Sequence, residues 1–590
     1  MPDGRVFTYG NQGTFDVWDP SAGLDAGHLT LTNTTGSSLF CSAQLVLPGG
    51  TGLLITGGAP EENPSDASRV FDYGNNTLTQ TADMNRRRWY SSVTTLLNGH
   101  TYIQGGKGGS DRPEIRDPTG AFHLLSGIDT SDLYPSYPRN FVAPDGRIFG
   151  YDTRGKMYFV DANGNGTLTL SGTFSGPLGA DSSTAMFRPG RILQFGGWTN
   201  GARVIDITGA VPSVTTTESL SSKRRHTLAT ILADGNVLAV GGSEVKNQMT
   251  GVNYSAEIWN PNTGQWIRGA NAVRARLYHS TALLMPDASV LVAGGGLPGP
   301  QFNDNIEVYY PPYLFNGSGG WATRPSLTSA PSYIDIGQTF VVDLDSTQNI
   351  QRVALVKTGS VTHGFNLDQR FVELTFQQSG DRLTVHAPTR AADAPPGYYL
   401  LFVLNQAGTP SIGRIARIGV AGAPNGEVTP DLDDPGNQTA QVGTAVSLQL
   451  TATDPNGDTL SFDATGLPRG LAVDDTTGEI SGTPTTVGTF DVVARASDGV
   501  NADSEGFQWT VSQETSPFTL FPPPTPAPVL AGTPITFEAS ATGGTDLSYK
   551  WDFDDGTSEE YTSSPAIAHV FANPGIYYVT ISAIDSGGFT

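Results

Sequence analysis

Cysteine occurs once in the 590 residues, at Cys41, so no intrachain disulfide can form. Charge is also scarce. Only 15% of residues are Asp, Glu, Lys or Arg, and 56 acids against 33 bases leave a net charge of -23. A surface of that sign repels phosphate backbones, which excludes nucleic acid as a partner. There is no run of about 18 apolar residues, so no membrane span is expected, and no long stripe of helical period appears. No signal-peptide pattern opens the chain: Met1-Pro2-Asp3-Gly4 leads straight into strand-like sequence, and Ser586-Gly587-Gly588-Phe589-Thr590 stops in mid-pattern. Both ends therefore read as truncated, and the acidic, soluble composition points to a secreted protein.

What the chain has in quantity is glycine (72) and proline (40). Short apolar runs recur between Gly, Asn, Asp and Pro, which is the pattern of an all-β protein. One unit repeats: a strand, a tight polar turn, then an apolar strand ending in glycines. Copies start at Phe40, Trp89, Arg225 and Tyr278, weaker ones at Tyr137 and Asp181, and a partial copy at Pro2. Seven units spaced by roughly 45–50 residues predict a seven-bladed kelch-type β-propeller over residues 1–322. The partial first unit suggests a blade closed by strands from both chain ends.

Residues 323–422 lose the repeat but stay strand-like and read as a β-sandwich. Residues 427–513 read as a second sandwich, an immunoglobulin/cadherin-like module, and residues 517–590 as a third. The run Phe521–Pro526 reads as a stiff linker.

Aligned on their terminal glycines, the units place chemistry-bearing residues in one register. Tyr90, His226 and His279 lie fifteen places before Gly105, Gly241 and Gly294; Cys41 lies sixteen before Gly57, in a unit whose turn has one more residue. Equivalent positions on successive blades face one ring about the channel. Packing alone does not select a ring of Cys, Tyr and two His, and Tyr278 beside His279 adds a second phenol. Imidazoles with phenolates suit a redox metal such as Cu(II); zinc more usually recruits thiolates or carboxylates.

Phe40-Cys41, Trp89-Tyr90, Leu277-Tyr278-His279-Ser280 and Gly359-Ser360-Val361-Thr362-His363, followed by Asn366, Asp368, Gln369 and Arg370, resemble the site motifs of the galactose oxidase and glyoxal oxidase family, in the same order over residues 1–422. The resemblance implies a mononuclear copper held by Tyr90, Tyr278, His279 and His363, with Cys41 joined to Tyr90 in a self-generated thioether. It implies Tyr278 as the base that takes the substrate hydroxyl proton, and oxidation of a primary alcohol or small aldehyde with dioxygen reduced to hydrogen peroxide. The chemistry agrees with the residues. Two-electron oxidation at one copper needs a second redox centre, and a sulfur-substituted phenol is easier to oxidise than free tyrosine.

One departure stands out. After the glycines of the Tyr90 unit, where galactose oxidase has a tryptophan stacked on the thioether, this chain has Lys107-Gly108-Gly109. This puts galactose in doubt and leans toward small alcohols or aldehydes. Trp198 follows Gly196-Gly197 at the same end of a later unit and is a candidate for the missing ring. His226 is read as substrate-facing or as supporting a ligand. Tyr137 and Asp181 share the register and are expected to line the channel. Arg86-Arg87-Arg88 is expected to be a solvated blade edge, and His28, His100, His123, His386 and His569 to be structural or exposed. In the tail, Asp454-Pro455-Asn456-Gly457-Asp458 offers hard oxygens for calcium. The segment around Gly482-Thr483-Pro484 resembles bacterial immunoglobulin-like modules, and Trp551–Gly556 resembles a PKD domain, modules that act as spacers or in attachment to cell surfaces or polysaccharide. The rival reading is a non-enzymatic kelch-type carbohydrate-binding or adhesion protein.

Overall fold

The computed structural model describes the chain except residues 11–12, 51, 59–62, 177–178, 421–429, 455–459, 499–501, 513–518, 544–545 and 585–590. Two compact units make it up: Met1–Thr429 is the bulk of the first, and Pro430–Gly499 with Asp503–Thr590 forms the second.

Seven small antiparallel sheets follow one another in the first unit. Five have four strands. The first (Val6–Thr8, Thr14–Trp18, His28–Thr32) and the last (Ser280–Leu284, Val290–Gly294, Ile306–Tyr309) have three. The leading strands of neighbouring sheets, such as Ala43–Val46, Trp89–Thr95 and Arg139–Val142, touch one another and so line the axis of a propeller. The expected sharing of one blade between the chain ends is not seen. Among the described residues the first and last sheets stay separate, and an apolar seam of Val6 and Trp18 against Met285 and Leu291 joins them.

The first sheet begins at the repeat's second strand, which leaves a gap in the inner ring. A two-stranded hairpin, Val361–Thr362 with Phe365–Asn366, stands there. Its first strand touches Ser280–Leu284 and is tied to the second sheet by Gln44 Nε2, which donates to the Val361 carbonyl at 2.7 Å. Its second strand touches Ser182–Arg188 and Leu228–Ile231. The hairpin thus runs into the channel from the next domain. His363 (φ 51°) and Gly364 (φ 94°) form its two-residue turn. Positive φ at both positions is the geometry whose twist matches a tight hairpin.

That next domain is one continuous eight-stranded sheet wrapped over a core that includes Val342, Leu355, Leu383, Tyr399, Leu401 and Ile418. Its other face shares a core with the propeller: Val356, Phe371 and Phe402 pack in one cluster with Leu228, Val237 and Trp259.

The paired glycines that mark each repeat are clamps between blades. Gly58, Gly197 and Gly242 donate their amides to the carbonyls of Arg88, Arg224 and Arg276 at 2.9, 2.7 and 2.7 Å. A Cβ on Gly57 would meet the Arg88 carbonyl at 2.4 Å, and Gly57 has φ +69°, so both space and backbone demand glycine. The clamped arginines are buried in ion pairs, Arg88–Glu114 at 2.9 Å, Arg224–Glu257 at 2.6 Å and Arg276–Glu307 at 2.7 Å. Arg88 therefore does not belong to a solvated edge. It is 0% exposed, while its neighbour Arg87 keeps a side chain 60% exposed. The carbonyls Arg88 reaches at Gly105 and Gly109 draw it inward.

In the second unit, Gln438–Gln441 pairs parallel with Ala502–Ser512 in a sheet beside Ser461–Thr465 and Gly488–Ser497, over a core of Ile480, Val492 and Trp509. The last module packs Trp551, Phe553, Phe537 and Phe571 together. Its strand Thr519–Phe521 pairs with Ser540–Thr542, so the proline run lies inside this module and is not a linker before it. Of the proposed calcium loop Asp454–Asp458, residues 455–458 lie outside the described residues.

Candidate active site

Five of the register residues sit where the chain turns into the leading strand of the blade and turn there with positive φ: Cys41 61°, Tyr90 70°, Tyr137 49°, His226 59°, His279 67°; Asp181, in the same register, does not. With His363 on the hairpin, six of the eleven non-glycine residues recorded with positive φ belong to one place. This conformation costs an L-residue on the order of 1–2 kcal/mol, and such strain persists where the surroundings fix it. Backbone bonds between blades do so: Tyr90 N–H reaches the Cys41 carbonyl (3.4 Å), Tyr137 N–H the Tyr90 carbonyl (2.9 Å) and His226 N–H the Asp181 carbonyl (2.9 Å).

The side chains converge. Ligand atoms of Cys41, His279 and His363 all lie within 4.8 Å of one another, with Cys41 Sγ 3.7 Å from His363 Nε2. The hydroxyls of Tyr90 and Tyr278 share a short hydrogen bond. The Tyr278 ring stacks on His279 at 3.8 Å between centroids, and the Tyr90 ring meets His363 edge-on at 4.6 Å. Phe40 closes one side, edge-on to His279 at 5.5 Å.

Burial sets the protonation. It pushes the Cys41 thiol up to about 12, against the pull of Tyr90 and Trp89 beside it. It pushes Tyr278 up to about 12, opposed by the Tyr90 hydrogen bond and aided by Cys41. Tyr90 is raised as well, by burial first and then by Cys41 and Tyr278. Burial lowers His279 and His363, keeping both imidazoles neutral. The Nδ1 of His279 donates to the Leu297 carbonyl, which can only accept, so its Nε2 carries the lone pair. That buried nitrogen has no hydrogen-bond partner. A lone pair aimed at a second imidazole, a thiol and two phenols fits a cation that would also let a phenol ionise.

The ring stacked on Tyr90 is Trp89, its sequence neighbour, at 3.5 Å and 15°. Lys107 Nζ lies 5.5 Å from the Trp89 ring on the other strand of the hairpin. Trp198 is 64% exposed and lies under the Arg225 guanidinium at 5.7 Å; Arg225 is in turn paired with Asp181. His226 is 5% exposed, 4.7 Å from the Tyr278 ring, held neutral by burial at about 3, and neither ring nitrogen has a partner. Tyr137 is 2% exposed and touches both Tyr90 and His363. Sequence reasoning placed Tyr137 in the channel without a role and passed over Trp89; the signals were the shared register of one and the adjacency of the other to Tyr90.

His28 and His123 are surface partners of Asp16 and Asp117, and His569 is buried in the last module, stacked on Phe553 and bonded to Asp555. No helix among the described residues is long and apolar enough to cross a membrane.

Fold and site together define a seven-bladed propeller whose channel presents Cys, Tyr and His from separate blades and one His from a following sandwich. The resemblance to galactose and glyoxal oxidases is borne out by similarity to known proteins. The model for "Galactose oxidase-like, Early set domain" matches residues 324–418, an Ig domain model matches 428–512, and the PKD domain model matches 519–590. Galactose oxidase of Gibberella zeae is 27% identical over 440 residues, 68% of this chain and 63% of that protein. The chain thus spans somewhat less than two thirds of that relative. Aldehyde oxidase GLOX1 of Arabidopsis thaliana is 26% identical over 399 residues, 56% of this chain and 64% of that protein. A solved structure described as a novel fungal alcohol oxidase in complex with copper shares the fold, with TM-score 0.65 and 24% identity over 70% of this chain and 94% of its own. A 106-residue stretch, 18% of the chain, is 36% identical to a serine-rich adhesin for platelets of Staphylococcus aureus.

Proposed function

We propose that the chain is a secreted copper-radical oxidase that converts primary alcohols or small aldehydes with dioxygen, giving hydrogen peroxide. The observation that carries this reading is the meeting of the only cysteine with two phenols and two neutral imidazoles, one of them with an unpartnered lone pair. Tyr90, Tyr278, His279 and His363 would hold the copper, and Cys41 would be joined to Tyr90. Bound there, copper supplies one of the two redox equivalents that alcohol oxidation requires and returns electrons to dioxygen.

The residues divide the remaining work. Tyr278, its hydroxyl hydrogen-bonded to that of Tyr90, takes the hydroxyl proton of the substrate at Oη. The sulfur-substituted Tyr90 holds the second oxidising equivalent and removes the hydrogen atom from the substrate carbon, leaving the carbonyl. Trp89 covers a face of that ring and excludes water from it. His226, neutral and unpartnered beside Tyr278, offers the substrate one donor and one acceptor. The tail modules serve in attachment, which their Ig and PKD matches support.

The test is mass spectrometry of tryptic peptides after aerobic copper loading. The Cys41 and Tyr90 peptides should appear linked and lighter by two hydrogen atoms than their sum, with dioxygen as the oxidant, and Cys41→Ser should abolish the link. A Cys41 that stays a free thiol with copper and dioxygen present overturns the oxidase reading and favours a propeller that only binds.

A further inference from the structure

Tyr137 occupies the register position of its blade, as Cys41, Tyr90, His226 and His279 occupy theirs, with φ 49° and 2% exposure. A bulky residue strained in this way and fully buried is held there by its contacts. Those contacts run to two groups that the sequence places far apart. Its hydroxyl meets Nδ1 of His363, and Thr362 Oγ1 lies 2.6 Å from the same nitrogen. Its ring stacks on Tyr90 at 4.6 Å and 25°. Trp89 and Tyr137 make no ring contact with each other, so they cover opposite faces of Tyr90.

We propose that Tyr137 is a positioning residue with two tasks: its hydroxyl holds the His363 imidazole with the hydrogen on Nδ1, and its ring seals the second face of Tyr90. The inference rests on the copper-radical reading. An imidazole that gives its Nε2 lone pair to a metal must carry its hydrogen on Nδ1, and the oxygens of Tyr137 and Thr362 are the acceptors available there. His363 sits at the tip of a hairpin that enters from another domain, so its ring needs fixing more than His279, which has the Leu297 carbonyl. The backbone bond from Tyr137 N–H to the Tyr90 carbonyl, 2.9 Å, keeps the two tasks in register.

Two variants separate the tasks. Tyr137→Phe keeps the ring and loses the hydroxyl; Tyr137→Leu loses both. Copper affinity is measured by competition with a chromophoric chelator, and the environment of the bound ion by the paramagnetic resonance of Cu(II). Tyr137→Phe is expected to bind copper about 10-fold or more weakly, with an altered resonance spectrum, yet keep the wild-type lifetime of the oxidised Tyr90 species followed by its visible absorption. Tyr137→Leu is expected to shorten that lifetime as well. Thr362→Val, which touches no ring of Tyr90, should weaken copper binding, and Thr362→Ser should restore it. Wild-type affinity and spectrum in both Tyr137→Phe and Thr362→Val overturn the inference. If the wild-type protein itself binds no copper or forms no Cys41–Tyr90 link, the oxidase reading falls and takes the inference with it; the two failures are told apart by the wild-type control.

Discussion

Cys41 Sγ and His363 Nε2 lie 3.7 Å apart although 322 residues separate them. One comes from a strained turn of the second sheet and the other from the tip of a hairpin that fills a gap in the inner ring. The site is therefore assembled only when the sandwich has docked, and the shared core of Phe371, Phe402 and Val356 with Leu228 and Trp259 makes that docking part of folding.

The hairpin tip is open to a direct test. Gly364 has φ +94°, and a Cβ there would approach the Thr227 carbonyl at 3.1 Å. Gly364→Ala should cost about 1 kcal/mol locally and move His363. We expect copper affinity to fall about tenfold with little change in melting temperature. Unchanged affinity would show that the tip does not need its tight turn.

Removing residues 323–422 is expected to abolish copper-dependent oxidation, because His363 leaves with them. The deletion also strips the apolar face of Leu228, Val237 and Trp259, so loss of soluble protein is the expected accompaniment. Retained oxidase turnover would refute the role given to His363.

The buried ion pairs should matter for stability. Arg88 and Glu114 are each 0% exposed. Glu114→Ala would leave the guanidinium buried without its partner, at a cost of about 3–5 kcal/mol. Denaturant unfolding followed by tryptophan fluorescence reads this; a loss below about 1 kcal/mol would mean that the carbonyls of Gly105, Gly109 and Arg112 suffice to hold Arg88.

Substrate handling is expected to depend on His226. His226→Phe keeps a ring against Tyr278 and removes both nitrogens. The loss of one hydrogen bond to substrate, about 1.4 kcal/mol, corresponds to about a tenfold fall in kcat/KM, with copper content and the Cys41–Tyr90 link unchanged. Equal kcat/KM across small alcohols and aldehydes would remove His226 from the substrate's path.

Much of this was legible because the repeat puts equivalent residues at equivalent distances from a glycine pair. Cys41, Tyr90 and His279 could be aligned without any structure, and all three do meet. What sequence could not supply was side-chain direction. Arg88 looked like part of a solvated basic run, yet Glu114 and three carbonyls draw it inside. Trp198 matched by register but lies 64% exposed under Arg225, while Trp89 turns its ring onto Tyr90. The proline run after Phe521 hid a strand partner twenty residues on, since pairing between Thr519–Phe521 and Ser540–Thr542 leaves no mark in composition.

The glycine clamps carry a consequence for how such a site changes over time. Each clamp grips the backbone of the next blade just before the functional residue, and the grip uses main-chain atoms and a buried arginine, not the functional side chain itself. The positions of Tyr90, His226 and His279 are in this sense sockets: the fold sets the direction in which each points without using the side chain that is plugged in. Chemistry can be rewritten there one substitution at a time, while the scaffold that aims it stays untouched.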